Sequence, residues 1–143
     1  MAEPLDRLWN DYAEHHRAEG NRWCHTIGIP LIVGGLLSLL SFPVARAGPL
    51  PVEAALLLIV AAGAVYLWLD ARLGAAMVLT CLALYLLVRL LPAAAAWAMF
   101  IVGWIIQFIG HGVYEKRSPA FLQNLAHLLV GPLWVLNHAL RLR

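Results

Sequence analysis

All six histidines of this 143-residue chain lie towards its two ends: His15, His16 and His25 near the start, His111, His127 and His138 near the finish. Imidazole is the commonest transition-metal ligand, and neutral histidines suit iron, zinc or copper. His16 and His25 flank Asn21 and Arg22. His111 and Glu115 are four residues apart, so a helix puts them on one face, with Gln107 a turn earlier. His127 lies four residues after Gln123 and three after Asn124, again one helix face. Brought together, the two clusters supply three or four nitrogens for one ion, and a carboxylate such as Glu115 could ligate it or orient an imidazole. A plainer reading stays open: a histidine at a membrane boundary is often only an interfacial residue, and Glu115-Lys116-Arg117 would ordinarily be a solvated cluster anchoring a helix end. His15 faces away from the apolar stripe of its segment and His138 lies far along the tail, so both read as surface residues.

The elements that must bring the clusters together are apolar helices. No histidine occurs between Thr26 and Gly110. Hydrophobic residues make up 62% and charged residues 13% of the chain, against about 45–50% and about 25% in an ordinary soluble domain. Residues 1–143 therefore read as one all-α integral membrane domain. Residues 4–20 predict an amphipathic helix, with Leu5, Leu8, Trp9, Tyr12 and His16 at steps of three and four and Gly20-Asn21 as its stop. Four transmembrane helices follow, over 27–42 with Pro30 near its first turn, 52–69, 73–88 and 93–110. Pro43, Arg46, Gly48, Pro49 and Pro51 break the first from the second, and Asp70-Ala71-Arg72 the second from the third. Fusing the second and third would bury Asp70 and Arg72 in lipid at about 2.5–3.5 kcal/mol each. Ser118-Pro119 then opens interfacial helices over 119–141, split by Gly131-Pro132.

An even number of crossings returns both histidine clusters to one face. That face carries eight basic residues, Arg7, Arg17, Arg22, Arg72, Lys116, Arg117, Arg141 and Arg143, against Arg46 and Arg89 on the other. The excess puts both termini in the cytoplasm, in a bacterial inner membrane or, in a eukaryote, the endoplasmic reticulum. The polar first 25 residues lack an early apolar run, so no cleaved signal peptide is expected. A net charge of +2 gives no footprint for nucleic acid. Cys24 and Cys81 read as packing residues. HExxH, CxxC, Walker and GxSxG motifs are absent. Membrane di-iron hydroxylases need HxxxH and HxxHH boxes, also absent, and a haem-carrying bundle needs histidines inside its spans.

Two segments carry a more specific signal. Tyr12-x3-His16-x4-Asn21-x3-His25 with Ile27-Gly28-Ile29-Pro30, and Gln107 to Ala120 continuing through Gln123-Asn124-Leu125, resemble the paired signatures of the 2-hydroxy fatty acid dioxygenase family. The resemblance covers nearly the whole chain, although Tyr114 stands where the family often has Phe. It implies an Fe(II)-dependent dioxygenase that shortens a 2-hydroxy fatty acid by one carbon (α-oxidation) with O2 at the cytosolic face of the bilayer. On that reading His16, His25 and His111 are metal ligands, with His127 as a fourth. Glu115, Asn21 and Asn124 are candidate catalytic residues, and Arg22, Lys116 and Arg117 candidate holders of the substrate carboxylate. The alternatives are a non-catalytic membrane scaffold or lipid-binding protein, whose histidines would each tolerate alanine, and a metalloenzyme acting on another lipid. A homo-oligomer is left open.

Overall fold

The computed structural model describes residues 4–122 and 124–142; Gln123 and Arg143, which entered the sequence argument, lie outside the described residues. Among these residues six α-helices dominate: α1 Pro4–Glu14, α2 Glu19–Leu39, α3 Ala54–Leu69, α4 Ala71–Val88, α5 Ala93–Ile109 and α6 Ala126–Leu140. Strands β1 (Pro43–Ala47) and β2 (Leu50–Glu53) form a hairpin between α2 and α3. A π-helical turn over Gly110–Glu115 extends α5, and a 3-10 turn covers Ala120–Leu122. Among the described residues, three helices are long and apolar enough to cross a membrane: Glu19–Leu39, Ala71–Val88 and the continuous Ala93–Glu115. α3 is apolar throughout but has 16 residues.

α2 and α5 make the most extensive helix pair, and small residues explain why. They run antiparallel. A Cβ at Gly28 would come within 2.9 Å of the Gly103 carbonyl, one at Gly35 within 2.8 Å of the Ala96 carbonyl, and one at Gly110 within 2.8 Å of Cys24 Cβ. The contacts pair Gly28 with Gly103 and Gly35 with Ala96, and set Gly110 against Asn21. Each helix thus offers its contact every seven residues, a repeat that keeps one seam of a helix facing its neighbour. α3 and α4 form a second antiparallel pair. The backbone of Tyr66 and Leu67 comes within 2.5–2.6 Å of where Gly74 would carry a Cβ. Asp70 ends α3 and caps α4 by accepting from the Leu73 N–H at 2.8 Å.

Apolar clusters form at both ends of the bundle. At one, Leu5 of α1 and Leu133 of α6 pack on Tyr66, Leu69, Leu73 and Met77. At the other, Leu37, Ala55, Ile59, Tyr85 and Val88 join α2, α3 and α4. Glu53 is buried there, accepting from Tyr85 Oη and Arg89 Nη2, each at 2.8 Å, which ties the hairpin to the end of α4.

Several sequence expectations are corrected. The amphipathic helix ends at Glu14 rather than 20, and Gly20-Asn21 lies inside the first turn of α2 instead of stopping a helix. Gly20 is there for clearance, because any Cβ on it would run into the Tyr114 ring. With α2 starting at Glu19, Pro30 falls in mid-helix. The all-α expectation missed the hairpin. Its two-residue loop puts Gly48 first at φ +62°, the left-handed conformation a type II′ turn needs there, with Pro49 second. Gly131-Pro132 does not split the tail, since α6 runs through it. Gly131 packs close to Ile29 and the Tyr12 hydroxyl, so tertiary contact outweighs the hydrogen bond lost at proline.

Candidate metal centre

Three elements converge where α2 begins and α5 ends. His16 sits in the short link after α1, His25 in the second turn of α2, and His111 in the π turn. All three are at least 95% buried. Their rings lie 4.4–5.0 Å apart between centroids and stand at 73–85° to one another. One ligating nitrogen from each lies within 4.8 Å of the others.

The hydrogen bonds decide which nitrogens face inward. His16 Nδ1 is 2.6 Å from the Tyr12 carbonyl and His25 Nδ1 is 2.9 Å from the Asn21 carbonyl. A carbonyl can only accept, so both Nδ1 atoms carry the proton and both Nε2 atoms present lone pairs. Those two Nε2 atoms face each other at 3.0 Å. Two lone pairs at that distance repel unless a cation lies between them. A proton is a poor candidate, because burial foremost, and then the charge of His25, push the His16 imidazole down to about 3. A metal ion fits better. Two nitrogens at about 2.1 Å from one ion and about 90° apart are about 3.0 Å from each other. His111 Nδ1 is buried with no hydrogen-bond partner among the described residues, so it too awaits one. Nδ1–H donation to a carbonyl is how metal-binding histidines are ordinarily oriented.

Glu115 builds the site without entering it. Its carboxylate accepts from the backbone N–H of Arg17 (3.0 Å) and Ala18 (2.9 Å) and from Asn21 Nδ2 (3.1 Å). It satisfies the two amide groups just ahead of α2 and so joins the π turn to the link that carries His16. Asn21 is fully buried between Glu115 and Gly110. In a π turn hydrogen bonds reach five residues back, and such turns are frequent at functional sites. Here the turn carries both His111, in the cluster, and Glu115, at the start of α2.

The remaining candidates lie elsewhere. His127 is buried near the cluster but outside the group of three. Its Nε2 is 2.8 Å from Asp11 Oδ2, while Nδ1 has no hydrogen-bond partner among the described residues. Asn124 is exposed, and its Oδ1 accepts from the N–H of Ala126, the first residue of α6. Arg22, Lys116 and Arg117 are exposed and do not line the cavity beside the histidines, which keeps their charges in water. His15 is half-buried and His138 exposed, stacked on Trp134.

The three histidines open onto a cavity of about 90 Å³ among α2, α5, α6 and the 3-10 turn. Its walls are mainly apolar, with Ile29, Ile32, Trp104, Phe121 and Leu128 prominent. Tyr12, Gln107 and His127 also line it. The Tyr12 ring stacks on His16 at 3.8 Å and meets His25 and His127 edge-on, and burial pushes its phenol well above the ordinary tyrosine range. Asp11 and Tyr12 were not singled out as site residues by the sequence reading. Asp11 reaches His127 across 116 residues, a distance at which no local pattern signals.

The fold and site define a small helical protein suited to a membrane, with buried histidines gathered at one end of its bundle beside an apolar cavity. By sequence the chain belongs to the Mpo1-like family, described as 2-hydroxy-palmitic acid dioxygenase Mpo1-like, whose model matches residues 2–142. One segment of 32 residues is 59% identical to the 2-hydroxy-palmitic acid dioxygenase MPO1 of Saccharomyces cerevisiae, covering 22% of this chain and 18% of the yeast protein. No solved structure matches the chain.

Proposed function

We propose that this protein is an Fe(II)-dependent dioxygenase that removes one carbon from 2-hydroxy fatty acids at a membrane face. Facing lone pairs on His16 and His25, completed by the unpartnered nitrogen of His111, carry the reading. The donor set fits: neutral imidazoles suit Fe(II), and three of them leave coordination positions free. When bound, the iron supplies the means to activate O2 beside the substrate. The chain's own residues do the rest. Tyr12 and Asn21 fix the imidazole tautomers through their carbonyls, and Glu115 holds the start of α2. Apolar walls keep bulk water from the reacting carbons.

The conversion balances with O2 as the oxidant. A 2-hydroxy acid and O2 give the acid one carbon shorter, CO2 and water. The C1–C2 bond breaks, C2 becomes the new carboxyl carbon, and the substrate supplies all four electrons that O2 accepts. The family description and the yeast relative's name support the substrate class.

The reading includes four crossings. α3 packs antiparallel along α4, so if α4 spans the bilayer, α3 returns beside it. Sixteen residues cover about 24 Å of a hydrocarbon core about 30 Å thick, a mismatch that local thinning accommodates. The histidine cluster, both termini and the Asp70 turn then share the cytoplasmic face. Anaerobic loading with Fe(II), followed by O2 and 2-hydroxypalmitate, tests the activity. Pentadecanoic acid is the expected product, and its absence from an iron-loaded, folded sample would count against the assignment.

A further inference from the structure

Four buried polar atoms without a hydrogen-bond partner among the described residues belong to side chains lining the cavity: Tyr12 Oη, Gln107 Nε2, His111 Nδ1 and His127 Nδ1. Burying such a group unpaired is costly, because it gives up its hydrogen bond to water and gains none. The proposed metal answers for His111. It does not answer for Gln107 and His127, each 95% buried, on α5 and α6 respectively.

We infer that Gln107 and His127 form the recognition site for the polar head of a 2-hydroxy acid, His127 taking the 2-hydroxyl and Gln107 the carboxylate. This rests on the substrate class proposed above and adds what selects it. Asp11 assigns the tautomer of a neutral His127: the carboxylate 2.8 Å away takes the Nε2–H, which in the neutral ring leaves Nδ1 as an acceptor. A hydroxyl donates to such an atom, and the unsubstituted fatty acid has nothing to offer there. Gln107 carries an amide whose ends exchange by half a turn about its last bond, so an N–H can turn towards a carboxylate. The two side chains thus match a ligand that donates from C2 and accepts at C1. The cavity, about 90 Å³, is far below the roughly 300–1,000 Å³ of pockets that enclose whole ligands. It takes the head, and the tail leaves past Leu128, 45% exposed, towards lipid.

The test is equilibrium binding of 2-hydroxypalmitate and palmitate to full-length, detergent-purified, metal-loaded protein without O2, with metal content measured on each sample. Wild type should prefer the hydroxylated acid by at least tenfold. His127→Phe should lower that preference to within twofold while retaining the metal and the affinity for palmitate. Asp11→Ala should lower it in part. Gln107→Met should weaken both ligands by a similar factor of about ten and leave their ratio intact. A His127→Phe protein that keeps the preference, or that loses its metal, overturns the inference. So does a wild type without preference, which also removes the proposed substrate class. Preference lost as described in a protein that turns over no 2-hydroxypalmitate sustains the recognition site and sinks only the oxygenase reading.

Discussion

Each imidazole of the His16–His25 pair has committed one nitrogen to a backbone carbonyl, and that commitment sets the chemistry of the other. Alanine at His16, His25 or His111 should therefore take metal content from about one ion per chain to near zero and abolish turnover; elemental analysis of purified variants checks it. Glu115 acts one step removed. Glu115→Ala frees the Arg17 and Ala18 amides and the Asn21 side chain, and metal affinity should fall about 10–100-fold, the usual cost of losing a group that orients a ligand. Glu115→Gln, which keeps an acceptor oxygen, should recover most of it in a competitive chelator titration. The grouping of His16, His25 and His111 was suggested in the sequence by the resemblance of its two end segments to paired family signatures, since spacing alone left interfacial residues as the plainer reading. The task of Glu115 was not: its partners lie 94–98 residues away, and a carboxylate four residues after a histidine reads equally well as a ligand.

At the scale of elements, the seven-residue register of α2 against α5 places His25 opposite the turn that carries His111. Gly103→Val should force the pair apart, since a Cβ there already meets Ile32 and the Gly28 carbonyl at 2.7–2.8 Å. A loss of about 1–3 kcal/mol is expected from overpacking, with metal affinity lowered in parallel. Gly112→Ala is the control, because nothing lies within 4 Å of its added carbon. Thermal unfolding in detergent, with metal retention, distinguishes the two. The apolar runs were readable from composition, and Asp70 correctly divided α3 from α4. Helix ends were less so. α2 begins at Glu19 because Glu115 satisfies amides just ahead of it, a tertiary effect that the Gly20-Asn21 pair masks. The hairpin stayed hidden behind its prolines, Pro43 at the start of β1, Pro49 in the loop and Pro51 on β2, residues that normally oppose strands but are tolerated in a two-stranded hairpin whose first strand is wholly exposed.

In the whole molecule, four crossings would put the histidine cluster and the Asp70 turn on one side of the bilayer and the β hairpin on the other. Arg72→Cys and Arg46→Cys, each in a background with Cys24 and Cys81 replaced by serine, should react with an impermeant maleimide from opposite sides of sealed vesicles. Labelling of both from the same side would remove the four-crossing arrangement. It would leave the cluster's internal geometry untouched.

The claim that three imidazoles from opposite ends of the chain share one ion is met most directly by an anaerobic Fe(II) titration of metal-free protein. Binding should saturate at one iron per chain in the wild type and disappear in His111→Ala while that variant remains helical. Absence of saturable binding in the folded wild type, or an unchanged titration in His111→Ala, would rule out an ion shared by the three imidazoles.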